Sequence, residues 1–140
     1  MAASEQVRAL TQKAAEAINE KLGQDIVAMD MTDQMLLSEV FLIATAANER
    51  QVEAIADEVF KKLAEIGEKP IRKEGKGQWV LLDYSDLVVH IQSQELRSYY
   101  MLDRLWNDCP RLPLELVELR RQVERVKLRS IRKLGLWRSW

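Results

Sequence analysis

The chain has 140 residues, 47% hydrophobic and 31% charged, with 21 Lys and Arg against 22 Asp and Glu, one His and one Cys. That length suits one domain with a proper core, and the composition excludes a disordered chain. No run approaches the ~20 apolar residues of a membrane helix, the start Met-Ala-Ala-Ser-Glu-Gln lacks a signal-peptide pattern, and a lone Cys109 makes no internal disulfide, so a cytoplasmic protein is expected.

The first predicted element is a helix over 4–22. Val7, Leu10, Ala14, Ile18 and Leu22 recur there at helical spacing, Ser4 caps the start and Gly23 suits the C′ position. Short strands follow at Asp25–Met31 and Glu39–Thr45, the second apolar almost throughout, as suits a central strand covered on both faces. Thr32–Ser38 connects them without a clear local pattern. Asn48 opens a second helix to about Ile66, with Asn48 and Gln51 spaced as a capping box. Its apolar stripe is Val52, Ile55, Ala56, Val59, Leu63 and Ile66. Gly67 ends it, and Pro70 prevents its resumption.

Lys69–Glu74 reads as an edge strand, where proline is tolerated and charge guards against pairing. Gly77–Asp83 and Asp86–His90 form a hairpin with Tyr84 and Ser85 as loop residues, which sets Trp79 directly across from His90. A last core helix is predicted over roughly 94–107. This order, α-β-β-α-β-β-β-α, implies an α/β domain over 1–109, built as a mixed sheet with helices packed on it.

Residues 110–140 read as a basic helical extension. Pro110 and Pro113 precede a helix predicted over 114–134, with Leu116, Leu119, Val123 and Val126 in its apolar seam and Ile131 and Leu134 extending it. Gly135 ends it, and Trp137 and Trp140 follow. Residues 111–140 hold nine Lys and Arg against three acidic residues, so this stretch carries +6 and the remainder −7. Three readings of the extension stay open: phosphate contacts to RNA, pairing with another copy, or folding back on the acidic domain. The seam and an unpaired edge near Pro70 also admit a homodimer.

No catalytic set emerges. His90 lies in an apolar strand beside Trp79, the setting of a structural or interface histidine rather than a base or ligand. Asp30 and Asp33, like Asp83 and Asp86, are three apart, which sends them to opposite faces of a strand; a two-carboxylate metal site needs them on one. Asp83 and Asp86 flank a turn, where Asp stabilises the bend. Gly75-Lys76-Gly77 lacks the strand-loop-helix setting of a phosphate cradle and reads as a hairpin loop. No cofactor and no metal are expected. Trp79, Tyr84, Tyr99, Tyr100 and Trp106, with Arg97 and Arg104, have the composition of an interface hot spot, although some must be core.

An ordered set of segments resembles one family. Gln24–Asp30 looks like its opening strand, and Arg50-Gln51-Val52 with Ile55-Ala56-Asp57 like its second helix. Glu74-Gly75, Trp79–Tyr84, Asp86–His90 and Tyr99–Trp106 complete the pattern over about residues 5–109. The chain is similar to the Iojap-like ribosomal silencing factors. That resemblance implies a compact domain of nucleotidyltransferase-like shape without the catalytic carboxylates, and so no enzyme. It implies binding to ribosomal protein L-fourteen on the free large subunit, which blocks joining of the small subunit and represses translation under nutrient limitation. The matched docking surface comprises Lys73, Glu74, Trp79, Leu81, Asp83, Tyr84, His90, Tyr99 and Tyr100. Three departures stand out: Thr45-Ala46-Ala47-Asn48-Glu49 where Gly and Ser are frequent, Ser85 where glycine is common in the turn, and a tail beyond Pro110 that matches nothing in the family. The alternatives are an RNA-binding module working through the basic extension, and a nucleotidyltransferase-like enzyme.

Overall fold

The computed structural model describes residues 2–34 and 38–117. In chain order it contains α1 (Glu5–Glu20), β1 (Gln24–Asp30), β2 (Val40–Ala46), α2 (Glu49–Glu65), β3 (Arg72–Lys76), β4 (Trp79–Asp83), β5 (Leu87–Ser93), α3 (Gln94–Tyr100), α4 (Leu102–Leu105) and β6 (Arg111–Leu112). A single 3₁₀ turn at Thr32–Gln34 lies between β1 and β2.

Both long helices begin and end where side-chain chemistry directs. Ser4 Oγ accepts the Val7 N–H at 3.3 Å to start α1. At its end Gly23 N–H donates to the Ile18 carbonyl and Leu22 N–H to Asn19, a Schellman arrangement. The left-handed residue there is Leu22, φ 62°, not the expected Gly23. Gly23 is needed for another reason: a Cβ would collide with the Ile18 side chain. In α2, Asn48 Oδ1 accepts the Gln51 N–H at 2.8 Å, while Gln51 Oε1 reaches back to the Ala47 N–H at 2.6 Å. The same Gln51 donates to the Lys21 and Leu22 carbonyls, tying the start of α2 to the end of α1.

The strands form one mixed sheet in the order β3-β4-β5-β2-β1-β6. Its centre is the parallel pair β2 and β5, flanked by antiparallel partners. Helices α1 and α2 cover one face. There Ala14, Ile18, Val52, Ile55, Val59 and Leu63 bury against Val40, Leu42, Val80, Leu82, Val89 and Ile91. Each large side chain so buried contributes roughly 1.5–3 kcal/mol. On the other face a smaller cluster of Met29, Met31, Ile43 and Cys109 is joined by Val27, Phe41, Leu102 and Trp106.

Four expectations are corrected. The edge strand covers Arg72–Lys76 rather than 69–74, and the hairpin loop is Ser85-Asp86 rather than Tyr84-Ser85. Tyr84 N–H donates to the Leu87 carbonyl at 2.8 Å, so Leu81 stands across from His90 and Gln92 across from Trp79. The reason is burial: Tyr84 is 6% exposed in the helix-side core, which a loop position would forfeit. Ser85 takes φ 74° instead, its N–H held by Asp83 Oδ1 at 2.8 Å.

The helix expected over 94–107 breaks at Met101, φ 48° and ψ 50°, into α3 and α4. Finally, residues 113–117 form neither helix nor strand, so no helix begins at 114; 118–134, the rest of the predicted helix, lies outside the described residues. Arg111–Leu112 instead pairs with β1 as a sixth strand. Beyond it Leu114 and Leu116 pack on the core, and Gln12 bonds both ways with Glu115: its Nε2 to the carbonyl at 2.7 Å, its Oε1 from the N–H at 3.1 Å.

Candidate docking surface

The strand register sorts the expected site residues by face. Glu74 pairs with Leu81, and Leu81 with His90, so these three share a row. Trp79 and Asp83, two positions either side of Leu81, lie on the same face, away from α1 and α2. Lys73 pairs with Leu82, a core residue of the helix side, and its ammonium meets Glu53 of α2 at 3.6 Å. Tyr84 belongs to that side too, where burial pushes its phenol up to about 12 and its hydroxyl has no hydrogen-bond partner. The structure therefore brings seven of the nine expected residues together and sets Lys73 and Tyr84 on the opposite face.

Six rings run in contact across the open face. Tyr99 meets Tyr100 at 5.0 Å between centroids, and Tyr100 meets Trp79 at 5.0 Å. Trp79 meets His90 at 5.9 Å, His90 meets Phe41 at 5.2 Å, and Phe41 meets Trp106 edge-on at 5.2 Å. Exposure rises from the middle of the row to one end: His90 is buried, Trp79 half-buried, Tyr100 49% exposed and Tyr99 77% exposed, while Phe41 and Trp106 on the other side of His90 are half-buried. Met101 and Leu105 extend the exposed end at 41% and 67%. Aromatic rings and a methionine exposed together on a supported platform are the make-up of a binding hot spot.

The polar members of this face are engaged in holding it. His90 Nδ1 accepts from Trp79 Nε1–H at 3.3 Å, and burial pulls the imidazole down to about 4. It is neutral and orients the indole. Asp83 accepts from Ser85 through Oδ1 and from Arg72 Nε through Oδ2 at 3.1 Å, which fixes the turn and the edge strand. Glu74 is exposed and meets Arg72 at 3.2 Å, a surface pair of little worth to stability. On the helix side, burial raises the pKa of Asp30, but bonds from Thr32 and Ala3 outweigh it and leave the carboxyl below its ordinary value. Among the described residues no three His, Cys, Asp or Glu side chains gather as a metal-binding group.

Two polar residues have roles that composition does not reveal. Arg97, expected at the interface, is 7% exposed and inserted beneath α3. Gln92 is fully buried beside Trp79, with neither amide atom hydrogen-bonded. The alternation of His90 and Gln92 in an otherwise apolar strand is the one signal that places both on the open face.

The fold is thus a mixed sheet that carries its two long helices on one face and the ring row on the other. A family model, that of the ribosomal silencing factor during starvation, matches residues 4–133, and the chain belongs to that family. The match runs past the extent of the segment resemblance and takes in most of the basic extension. The chain is 40% identical over 108 residues to the ribosomal silencing factor RsfS of Halalkalibacterium halodurans, covering 76% of this chain and 92% of that protein. Its fold is similar to the crystal structure of a Chromobacterium violaceum protein, with TM-score 0.70 and 35% identity over 72% of this chain and 86% of that one. A more distant mouse relative, 23% identical over 94 residues (64% of this chain, 41% of that protein), is named for mitochondrial assembly of the ribosomal large subunit.

Proposed function

We propose that the ring row docks on ribosomal protein L-fourteen of the free large subunit, over the surface that meets the small subunit. The bound chain then blocks joining by its volume alone and silences translation when nutrients are short. Family membership and the mouse relative's name support the ribosomal setting. The observation that carries the docking reading is the exposure of Tyr99, Tyr100, Met101 and Leu105 beside Trp79.

The mechanism requires affinity and position, and no bond is made or broken. We read the chain as no enzyme on a scaffold of nucleotidyltransferase-like shape. Asp30 and Asp83 lie on opposite faces of the sheet, each already bonded to backbone N–H groups. The protein works in the cytoplasm in this reading, with residues 110–140 adding an accessory rRNA contact and β3 available as the edge of a homodimer.

Sedimentation with separated ribosomal subunits tests this. Co-migration with the large subunit and loss of joined ribosomes, both weakened by Trp79→Ala, are expected. Absence of binding, or binding with joining unaffected, rejects the proposal.

A further inference from the structure

We infer that Arg97 is the positioning residue of the ring platform, holding α3 and α4 where Tyr99 and Tyr100 stand beside Trp79; its effect on binding rests on the docking reading above. Helix α3 has seven residues and α4 four, far short of what an isolated helix needs to persist in water. Their apolar anchors are only partly buried: Leu96 on α3, and Leu102 and Trp106 at the two ends of α4, which pack on the Met29 cluster. The one buried residue of α3 is Arg97 itself, and α4 has none. The most deeply buried anchor of this short platform is thus a charge.

The guanidinium reaches in two directions. Nη1 donates to Thr45 Oγ1 on β2 at 2.9 Å, and Nε meets Asp103 Oδ1 on α4 at 3.4 Å. Arg97 also accepts the Met101 N–H on its carbonyl at 3.1 Å, which closes α3 at the left-handed residue. One side chain therefore joins the sheet, α3 and α4 around the bend at Met101. That bend is a strained position for a residue with a Cβ, and it persists only where its surroundings fix it. Tyr99 and Tyr100 are the two residues immediately before it, so the direction of the exposed rings follows from the clamp.

An arginine suits this task and a lysine does not. Its planar fork presents donors to two partners at once, whereas an ammonium on a flexible stem is a point charge. Once the guanidinium is removed, α3 keeps its Ser93 cap, Oγ to the Leu96 N–H at 3.3 Å, and half-buried Leu96. Those fix where the helix starts but not how its far end is turned.

The test compares Arg97→Met, Arg97→Lys and the milder Asp103→Asn in the full chain. Nuclear Overhauser contacts between the Trp79 and Tyr100 rings are read in the free protein. The contacts should disappear in Arg97→Met, fade in Arg97→Lys and Asp103→Asn, and leave the α1 and α2 amide signals in place. Large-subunit affinity should fall about tenfold in Arg97→Met, yet under about twofold further when Tyr100→Ala is already present, as coupled residues behave. Persistence of the ring contacts in all three variants overturns the inference. So does an affinity loss that multiplies with that of Tyr100→Ala, which would make Arg97 an independent contact. Should Tyr100→Ala alone leave binding intact, the docking reading fails, while the ring contacts still decide the positioning role. If Arg97→Met does not fold, Asp103→Asn and Arg97→Lys decide by the same readouts.

Discussion

Trp79 donates its indole N–H to His90 Nδ1 across a diagonal of the hairpin, at 3.3 Å, although the residue opposite His90 is Leu81. The bond couples a buried imidazole to a half-exposed indole, so the state of one sets the posture of the other.

Burial of the imidazole makes stability depend on pH. Burial lowers the His90 pKa from its ordinary 6.5 to about 4, so above 6.5 folded and unfolded chains both carry it neutral. Between 6.5 and about 4 the unfolded chain binds the proton first, so stability is fully present above this window and falls as pH drops through it. The loss over the whole window is about 3 kcal/mol. Urea unfolding above and within the window should show that fall in the native protein, and His90→Gln should flatten it.

Tyr99 separates binding from stability. At 77% exposed it supports little of the fold, so Tyr99→Ala should leave the unfolding midpoint nearly unchanged. Large-subunit binding should weaken by about 2 kcal/mol or more if the ring is a hot spot. Trp79→Ala should lose both, because the indole also packs on His90 and Tyr100. Parallel sedimentation and denaturation of the two variants check the contrast.

At the hairpin tip, Ser85 holds φ 74° while Asp86 N–H donates to the Tyr84 carbonyl, a tight turn rarely adopted by a residue with a Cβ. Ser85 is exposed, and its backbone N–H rather than its hydroxyl meets Asp83. Ser85→Gly should therefore stabilise the protein by about 1 kcal/mol, read as a higher melting temperature. A lower one would mean that chain entropy outweighs the relieved strain.

Truncation sorts the basic extension into parts. Removing residues after 117 should leave the fold intact, whereas cutting after 109 also strips β6 and the burial of Leu112, Leu114 and Leu116. That loss should cost about 3 kcal/mol or more. Gln12→Ala, which breaks both bonds to Glu115, should cost about 1 kcal/mol. Denaturation of the three proteins tests this order, and a cut after 117 that unfolds the chain would contradict it.

Much of the fold is legible in the sequence because local signals agree. Ser4, Asn48, Gln51 and Gly67 mark helix ends by chemistry that acts within a few residues. The nearly unbroken apolar run of β2, interrupted only by Thr45, announces a strand buried on both faces. The break at Met101 is not legible, since neither glycine nor proline marks it and the contacts that impose it come from Thr45 and Asp103. Strand β6 is two residues long and carries too little pattern to read. In the candidate site, Trp79, Tyr99 and Tyr100 stand out by type. Tyr84 belongs to the same inventory yet faces the core, because hairpin register is decided by burial rather than by composition.

The central parallel pair has a consequence for how the chain reaches its working form. Strands β2 and β5 join residues 47 positions apart, as Val40 with Leu87, so their pairing requires closure of a long loop. Such non-local contacts are slow to form, while the local β4–β5 hairpin can close early. The ring row crosses that late seam: Trp79 and His90 come from the hairpin, and Phe41 and the anchoring Thr45 come from β2. A newly made chain thus carries Trp79 and both tyrosines well before they form one surface, and its capacity to dock should appear with the last step of folding rather than the first.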